Sequence, residues 1–443
     1  MNNYDKYLNE LFDFLKIASI SSQTEHKKDM DLATKWLSEK LSTLGFETKI
    51  IPTDGHALVY GELLKFPNSP TILVYGHYDV QPLEPLDEWI SKPFEPVVRD
   101  GNIYARGAAD DKGQLYTWIA AVSELISQKK LNVNIKFIIE GEEEMGSRNF
   151  KTFLEKNHDL LKSDICVISD SHSLSTTQPL ICYGLRGMIY TEISLKTLTG
   201  DVHSGIYGGN VANPIHTLVQ ILSKLKDENS KITIPGFYDD VRILETREIE
   251  LINKYPFGED QIKKETGATF SVGEEEFSIA ARAGARPTLD ENGIWGGYIQ
   301  EGAKTVIPSI AYAKVSMRLV PNQKPIDIFE KYKKYLEELC PKYAKIDVKL
   351  LSQSNPVIMN RDSKYFKIAH ECLAEVFGNE PLYELSGGSI GAAAKMKELV
   401  GVDSILMGYG LPDDNLHAPN EKLSVEMFNK GISSNINFLT KLV

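Results

Sequence analysis

Histidine and acidic side chains follow four apolar segments of this sequence, a pattern that could bind metal ions. The four segments are residues 71–75, 133–139, 164–169 and 404–407. The polar side chains that follow them include His77 with Asp79, the glutamates within 140–144, Asp170 and His417. Two histidines with several carboxylates and no cysteine suit zinc, manganese or cobalt in a carboxylate-bridged pair.

Each of these features also has an ordinary structural explanation. A histidine after a strand can be a hydrogen-bonded loop residue, and a run of glutamates can be a solvated surface. An aspartate before a helix, such as Asp110 in the turn at 106–113, can be an N-cap. In an open α/β sheet, however, ligands bind just beyond the carboxyl ends of the strands. Because the polar side chains recur at that position, we favour a metal site.

The pair His77 and Asp79 has a geometry that suits a metal ligand and its support. Side chains at i and i+2 of an extended chain point the same way. A carboxylate behind a metal-bound imidazole can accept the other ring N–H and fix the tautomer. We therefore expect His77 to bind metal and Asp79 to orient it.

The glutamate run at 142–144 suits metal-assisted hydrolysis. Neighbouring residues of an extended segment face opposite sides, so one glutamate can bind metal while the next reaches a water molecule. A hydrolase needs a metal that lowers the pKa of water and a base that takes its proton. Spacing alone does not decide which glutamate has which role.

The elements that position these residues alternate between strand and helix patterns in the outer parts of the chain. Helical spacing occurs at 28–44, 113–129 and 364–377. Alternation of this kind predicts crossover connections and an α/β fold with a mainly parallel sheet and helices on both faces.

The middle of the chain has a different pattern. It combines alternating strands and a helix at 214–225 with a stretch at 257–302 that we predict to be irregular. We therefore predict an inserted α+β domain, a lid or dimerisation domain, at 183–361. The catalytic domain would comprise 1–182 and 362–443.

The length and charge of the chain limit the number of domains and the kinds of molecule that the protein could bind. The chain has 443 residues, enough for two domains. Its 49 basic and 61 acidic residues give a formal net charge of −12, which argues against nucleic-acid and anionic-membrane partners. We expect no transmembrane span and no signal peptide. The four scattered cysteines predict buried thiols in a reducing cytoplasm.

Five motifs in order, GHYDVQP, RGAADDKG, EGEEEMGS, ISDS and NLHAPNE, resemble those of the dinuclear-metal amidohydrolases and peptidases. This family includes carnosinase, cytosolic nonspecific dipeptidase, carboxypeptidase G, aminoacylase and succinyl-diaminopimelate desuccinylase. The similarity spans nearly the whole chain. Finer motifs, namely YGLRG, DVHSGIYGG, GAKTVIPS, SMRLVPNQ and GGSI, resemble the dipeptidase branch in particular.

The resemblance implies two divalent ions, Zn²⁺ or Mn²⁺ with Co²⁺ possible, and a ligand set for each. His77 and Asp170 would bind one ion, Glu144 and His417 the other, and Asp110 would bridge the two.

The resemblance also implies the residues that act beside the metals. Glu143 would be the general base, because the last two glutamates of EGEEEMGS match the base–ligand pair of the family. Asp79 would orient His77. The role of Glu142 stays open, and the bond between Asp110 and Asp111 would be cis, as in relatives.

In the inserted domain, His203 would reach across a homodimer interface and stabilise the oxyanion in the partner's active site. Arg318 would bind the terminal carboxylate of the substrate, and Thr305, Gly388 and Ser389 would line the substrate site. A surface histidine and a strand-edge ion pair are the ordinary alternatives for His203 and Arg318. The segment 360–363 has no clear counterpart to a histidine that some relatives use, so side-chain preference stays open.

These features together predict a metallo-dipeptidase, which would cleave dipeptides or small peptides with a free C-terminal carboxylate. An N-acyl amino acid deacylase or carbamoylase could use the same metal site. A non-catalytic binding protein on this fold would be expected to lack ligands or the base, and the sequence retains all of them.

Overall fold

The computed structural model describes residues 5–388 and 390–442, which divide into two compact units. The first unit comprises the residues up to Tyr183, Met359–Glu384 and the residues from Gly391 onward. The second unit comprises Gly184–Ile358 and Leu385–Ile390.

The strands vary from two to ten residues in length. In chain order they are β1 (Glu47–Ile51), β2 (Leu58–Leu63), β3 (Thr71–His77), β4 (Val97–Arg99), β5 (Asn102–Tyr104), β6 (Asn134–Glu140), β7 (Ile165–Ile168), β8 (Leu180–Leu185), β9 (Gly187–Lys196), β10 (Val202–His203), β11 (Thr288–Gly296), β12 (Val306–Ile307), β13 (Ile310–Leu319), β14 (Lys345–Ser354), β15 (Val357–Ile358), β16 (Leu382–Ser386), β17 (Ser404–Met407) and β18 (Lys422–Ser424).

The α-helices vary from single turns to 17 residues. In chain order they are α1 (Asp5–Leu15), α2 (Lys27–Thr43), α3 (Lys112–Ser127), α4 (Phe150–Asn157), α5 (Ser204–Tyr207), α6 (Pro214–Leu222), α7 (Thr246–Ile252), α8 (Glu259–Thr266), α9 (Ile279–Gly284), α10 (Pro325–Leu339), α11 (Lys364–Phe377), α12 (Gly391–Lys395) and α13 (Val425–Lys441).

The main sheet of the first unit has a parallel centre. Its strand order runs β1-β2-β6-β3-β7-β17-β8. Strand β3 is parallel to both β6 and β7, and β17 is parallel to β7, whereas the outer pairs are antiparallel. Nearly every residue of the four central strands is buried, which is the pattern of a sheet covered by helices on both faces.

Helix α3 is the central helix of the first unit. It packs against β3, α1 and α13, and 13 of its 16 residues are buried. Its start at Lys112 follows the turn that carries Asp110, so the buried helix holds that turn at the carboxyl ends of the parallel strands.

The second unit has an antiparallel four-stranded sheet, ordered β11-β13-β9-β14. Buried and partly exposed residues alternate strictly along β9 and β13, so the sheet has one apolar face. Helices α6 and α10 pack against β9, with α6 also on β13 and α10 also on β14. Strands β10 and β12 form a separate two-stranded ribbon.

The predicted α/β fold with a mainly parallel central sheet is confirmed. The predicted irregularity of 257–302 is wrong, because α8, α9 and β11 lie there. Only Leu289 is fully buried in β11 and no residue is buried in α8, so these elements carry almost no apolar periodicity. Leu385–Ile390 clusters with the second unit, although we placed it in the returning catalytic segment.

Candidate metal centre and active site

The carboxyl end of β3 delivers the first site residue, His77, into the interior of the first unit. The side chain is fully buried. In the parallel register His77 lies opposite Glu140 of β6, and Tyr75 lies opposite Ile168 of β7. The segments after β6 and β7, which carry Glu143, Glu144 and Asp170, therefore begin at the same edge of the sheet.

Asp110 lies between the two histidines of the site. Nε2 of His77 is 3.0 Å from its Oδ1, and Nε2 of His417 is 2.9 Å from its Oδ2. Asp110 belongs to the turn between β5 and α3, and its peptide bond to Asp111 is cis, as predicted. The carboxylate thus presents one oxygen to each histidine.

Two groups of side chains share Asp110, and each could hold a metal ion. In the first group, ligand atoms of His77, Asp110 and Asp170 lie within 4.8 Å of one another. In the second group, ligand atoms of Asp110, Glu144 and His417 do so. The structure therefore brings together all five side chains that we expected to bind metal.

Asp79 supports both His77 and the glutamate turn. Nδ1 of His77 lies 3.0 Å from the backbone oxygen of Asp79 and 3.5 Å from its carboxylate. The carboxylate itself accepts hydrogen bonds from Ser21 Oγ (2.7 Å) and from the backbone amides of Glu143 (3.2 Å) and Glu144 (3.1 Å). The main chain of Asp79 is thus its nearest contact with the imidazole, and its carboxylate fixes the turn that carries both glutamates.

Glu143 and Glu144 begin a single 3-10 turn, Glu143–Met145. Oε2 of Glu144 lies 3.3 Å from Nε2 of His417 and accepts a 2.7 Å hydrogen bond from Gln81. Glu143 belongs to neither metal group. Burial raises the pKa of the Glu143 carboxyl above its ordinary value. The two neighbouring glutamates therefore have different surroundings.

Glu142 is engaged away from the metal groups. Its carboxylate accepts hydrogen bonds from the backbone amide of His56 (3.0 Å) and from the backbone and side-chain nitrogens of Asn149 (3.0–3.1 Å). A Cβ atom on Gly55 would lie 1.7 Å from Glu142 Oε1, so the glycine leaves room for this contact. These contacts give Glu142 a structural role in holding the loop at 53–56.

Crowded charges shift the pKa values of the cluster. Burial raises the pKa of Asp170 to about 7 and that of Glu144 to about 8, and the charge of Asp110 adds to both increases. The hydrogen bond to Asp110 raises the pKa of His417 to about 9. Burial opposes ionisation of Asp110, but its contacts with His417 and His77 hold its pKa well below the ordinary value. A bound cation would stabilise the ionised forms of these crowded carboxylates.

Two residues that our sequence reasoning missed hold the site residues in place. Gln81 contacts Glu144, and the buried carboxylate of Glu421 accepts from the backbone amide of Asp110 at 3.1 Å. Both occur in motifs that we identified, GHYDVQP and NLHAPNE. Their position in those motifs is the only sequence signal for them.

In the second unit, His203 and Thr305 are neighbours. The ribbon of β10 and β12 pairs His203 with Val306. Nε2 of His203 lies 3.4 Å from Thr305 Oγ1, and its Nδ1 accepts from the amide of Gly205 at 3.0 Å. Nε2 is therefore the ring nitrogen that carries the proton in this arrangement and can donate it.

Arg318 lies on β13 opposite Met188 of β9. Burial lowers the pKa of Arg186 to about 10, and the charge of the nearby Arg318 adds to the decrease. Nε of Arg186 donates to the carbonyl of Gly387 at 3.3 Å, and Gly388, which is exposed, donates to Ser386 Oγ at 3.2 Å. The remaining predicted substrate residue, Ser389, lies outside the described residues.

Two dipeptidases align with most of the chain. The human Beta-Ala-His dipeptidase is 34% identical over 382 residues, which cover 84% of this chain and 75% of that protein. The Cys-Gly metallodipeptidase DUG1 of Saccharomyces cerevisiae is 30% identical over 465 residues, which cover 98% of this chain and 95% of that protein.

Solved structures of other proteins superpose on nearly the whole chain. The M20 family metallo-carboxypeptidase Sso-CP2 from Sulfolobus solfataricus superposes with a TM-score of 0.87 at 35% identity, and the match covers 99% of each chain. Human carnosine dipeptidase 1 superposes with a TM-score of 0.79 at 30% identity, covering 99% of this chain and 96% of that one. The model of peptidase family M20/M25/M40 matches residues 73–441. The chain therefore belongs to peptidase family M20/M25/M40, and it is a metallopeptidase.

Proposed function

We propose that the protein hydrolyses dipeptides or short peptides that carry a free C-terminal carboxylate. The observation that carries this proposal is the pair of metal-binding groups that share Asp110. The names of two relatives, Beta-Ala-His dipeptidase and Cys-Gly metallodipeptidase, favour a dipeptide substrate. Sso-CP2 is described as a metallo-carboxypeptidase, so longer peptides belong in the test as well.

Two divalent cations fit the chemistry of the described side chains. Imidazole nitrogens and carboxylate oxygens without sulfur suit Zn²⁺, Mn²⁺ or Co²⁺. The raised pKa values of Asp170 and Glu144 support this fit, since a cation would stabilise the ionised carboxylates. We propose that His77 and Asp170 hold one cation and that Glu144 and His417 hold the other. Asp110 would hold both.

When bound, such cations lower the pKa of a water molecule and polarise the carbonyl of the scissile bond. Glu143 would be the general base and take the proton from that water. Its raised pKa brings the carboxyl closer to neutral pH, where a base can both accept and return a proton. Glu143 would then pass the proton to the leaving amine. The backbone amide of Glu143 donates to the carboxylate of Asp79, and this hydrogen bond fixes the turn that carries the base.

Four residues of the second unit and Ser389 would bind the substrate. His203 would donate from Nε2 to the oxyanion of the tetrahedral intermediate, with Thr305 beside it. Arg318 would bind the C-terminal carboxylate, because a planar guanidinium matches a carboxylate in two hydrogen bonds. Gly388 and Ser389 would line the substrate site.

We also propose a homodimer in which His203 of one protomer serves the active site of its partner. Strand β11 lies at the edge of its sheet, and within the described residues no other strand pairs with its free edge. Its Ile294 and Trp295 are exposed, and Ile299 just beyond the strand is 75% exposed. An antiparallel pairing of β11 with the same strand of a second copy would cover these side chains.

A substrate panel tests the proposed activity. Metal-stripped protein would be supplied with Zn²⁺, Mn²⁺ or Co²⁺ and assayed on dipeptides, longer peptides, amidated dipeptides and N-acetyl amino acids. We expect hydrolysis of dipeptides or short peptides with a free carboxylate and a marked loss on the amidated ones. Turnover confined to N-acetyl or N-carbamoyl amino acids would favour the deacylase alternative, and no turnover of any substrate would contradict a hydrolase.

We propose a cytoplasmic location. The cysteines Cys166, Cys182, Cys340 and Cys372 are free thiols, and three of them are buried. Free thiols of this kind persist in a reducing compartment. Within the described residues, no helix is long and apolar enough to cross a membrane.

A further inference from the structure

Glu421 is a fully buried carboxylate that belongs to neither metal-binding group. Its Oε2 accepts from Nη1 of Arg106 and from the amide of Gly107, both at 2.9 Å. Its Oε1 accepts from the amides of Ala109 at 2.9 Å and Asp110 at 3.1 Å. One side chain therefore accepts from a guanidinium and from three backbone amides of the same turn, and the last amide is that of the aspartate that both metal groups share.

The backbone brings Glu421 to this turn by strand pairing. Strand β18, which begins at Lys422, pairs with β5, and the carbonyl of Glu421 accepts from the amide of Ala105 at 3.2 Å. Glu421 is also four positions after His417. Its contacts thus join the loop that carries His417 to the turn that carries Asp110.

The groups that donate hydrogen bonds to Glu421 have few other acceptors nearby. Nη2 of Arg106 donates to the carbonyl of Pro82 at 2.9 Å, while its Nε is buried without a partner. Without the carboxylate, a buried guanidinium and three amides would lose their acceptor, which is costly in an interior. The turn would then relax, and Asp110 would move relative to His77 and His417.

We propose that Glu421 is a positioning residue of the metal centre, which holds Asp110 so that each of its oxygens faces one metal group. The inference rests on the proposed function, in which Asp110 binds both cations. Loss of an outer contact to a metal ligand commonly lowers metal affinity by about 10- to 100-fold. We expect a decrease of that size for Glu421→Gln, because the amide can accept with only one atom.

Mn²⁺ binding to metal-stripped protein tests the inference, measured by calorimetry or by competition with a chelator. Glu274→Gln is the matched control: Glu274 is also buried and makes a two-contact ion pair with Arg286 (2.5 and 3.0 Å) in the second unit. Both variants remove the negative charge of a buried glutamate that is paired with an arginine. We expect weaker Mn²⁺ binding in Glu421→Gln and wild-type Mn²⁺ affinity in Glu274→Gln.

The kcat of Glu421→Gln should recover as Mn²⁺ is raised, since the residue acts through the metal ligands and does not touch substrate. A folded Glu421→Gln protein with wild-type Mn²⁺ affinity would overturn the inference. If that variant does not fold, Glu421→Asp provides the test. Aspartate keeps the negative charge, but its side chain is one methylene shorter and cannot reach all four donors of Glu421. Wild-type affinity in folded Glu421→Asp would overturn the inference, and weaker binding would support it.

Asp110→Asn separates this inference from the proposed function. If Asp110→Asn also binds two Mn²⁺ ions normally, the proposed metal site is wrong. If Asp110→Asn loses Mn²⁺ while Glu421→Gln keeps it, only the role of Glu421 is wrong.

Discussion

Oδ2 of Asp110 lies 2.9 Å from Nε2 of His417, although 307 positions separate the two residues in the chain. The other oxygen of the same carboxylate faces His77 at 3.0 Å. Because both metal-binding groups contain Asp110, its carboxylate should matter more for metal content than any other single side chain of the site.

Asp110→Asn should lose metal, since an amide has one neutral oxygen where the carboxylate has two charged ones. We expect reduced occupancy of both positions after dialysis, measured by elemental analysis. Asp159→Asn, which removes an exposed carboxylate just after the end of α4, is the control and should keep its metal. Full occupancy in Asp110→Asn would rule out a shared ligand.

Glu143→Gln should keep its metal and lose turnover. General acid–base catalysis contributes about 10²- to 10⁴-fold, so we expect kcat to fall within or beyond that range. Glu142→Gln is the neighbouring control, because its carboxylate contacts His56 and Asn149 instead of the metal groups. It should lower Tm and leave kcat largely intact. Wild-type kcat in Glu143→Gln would refute its role as the base.

Metal affinity should fall steeply on acidification. Asp170 and Glu144 have pKa values of about 7 and about 8 in the metal-free protein, so they hold protons that a cation must displace. The two pKa values lie between about pH 6 and pH 8.5, so lowering the pH across that range should weaken metal binding. Metal binding at about pH 7 should release protons. Calorimetry in buffers of different ionisation enthalpy measures that release. Binding independent of pH would contradict these shifts.

The stability of metal-free protein should change with pH in the opposite sense. In the unfolded chain the carboxyls of Asp170 and Glu144 titrate at roughly 4, so the folded state binds more protons up to about pH 8. His417, with a pKa of about 9, contributes with the same sign. The Tm of stripped protein should therefore decrease as the pH rises from about 6 to 8.5, and saturating Mn²⁺ should suppress the decrease. A rising Tm in stripped protein would be inconsistent with the raised pKa values.

A complementation experiment tests whether His203 acts across a dimer. His203→Ala and Glu143→Ala should each be inactive alone. After subunit exchange, a mixed dimer has one site with an intact Glu143 and an intact His203 from the partner. Random mixing should then restore about a quarter of wild-type activity, since half of the dimers are mixed and one of their two sites is complete. No recovery in verified mixed dimers would place His203 in its own subunit's site.

Four of the five candidate metal ligands, all except Asp110, end or follow central strands of the main sheet in the chain, so strand patterns pointed to them. The apolar run before His77 ends at the site, and β7 ends two positions before Asp170, whereas His417 follows the end of β17 by ten positions. Because the carboxyl ends of parallel strands meet at one edge of a sheet, residues that follow those ends in the chain come close together in the fold. The family motifs then distinguished Glu143 from Glu144, which periodicity could not do.

The supporting contacts could not be predicted from periodicity. Glu421 meets Arg106 over 315 positions, and Asp79 meets the amide of Glu143 over 64. Such contacts depend on how separate loops pack, and a lone acid in a loop is more often exposed than buried. The alternation rule correctly placed Asp79 beside His77. It did not reveal that the carboxylate would hold the glutamate turn.

Strand β17 makes the order of synthesis important for this protein. It lies between β7 and β8, in register with Cys166 on one side and Cys182 on the other, yet it is translated more than 200 residues after both. A nascent chain that has released β7 and β8 leaves an apolar gap between them until residue 407 emerges from the ribosome. We expect the growing chain to need chaperone protection during that interval, and metal binding to begin only after His417 has followed.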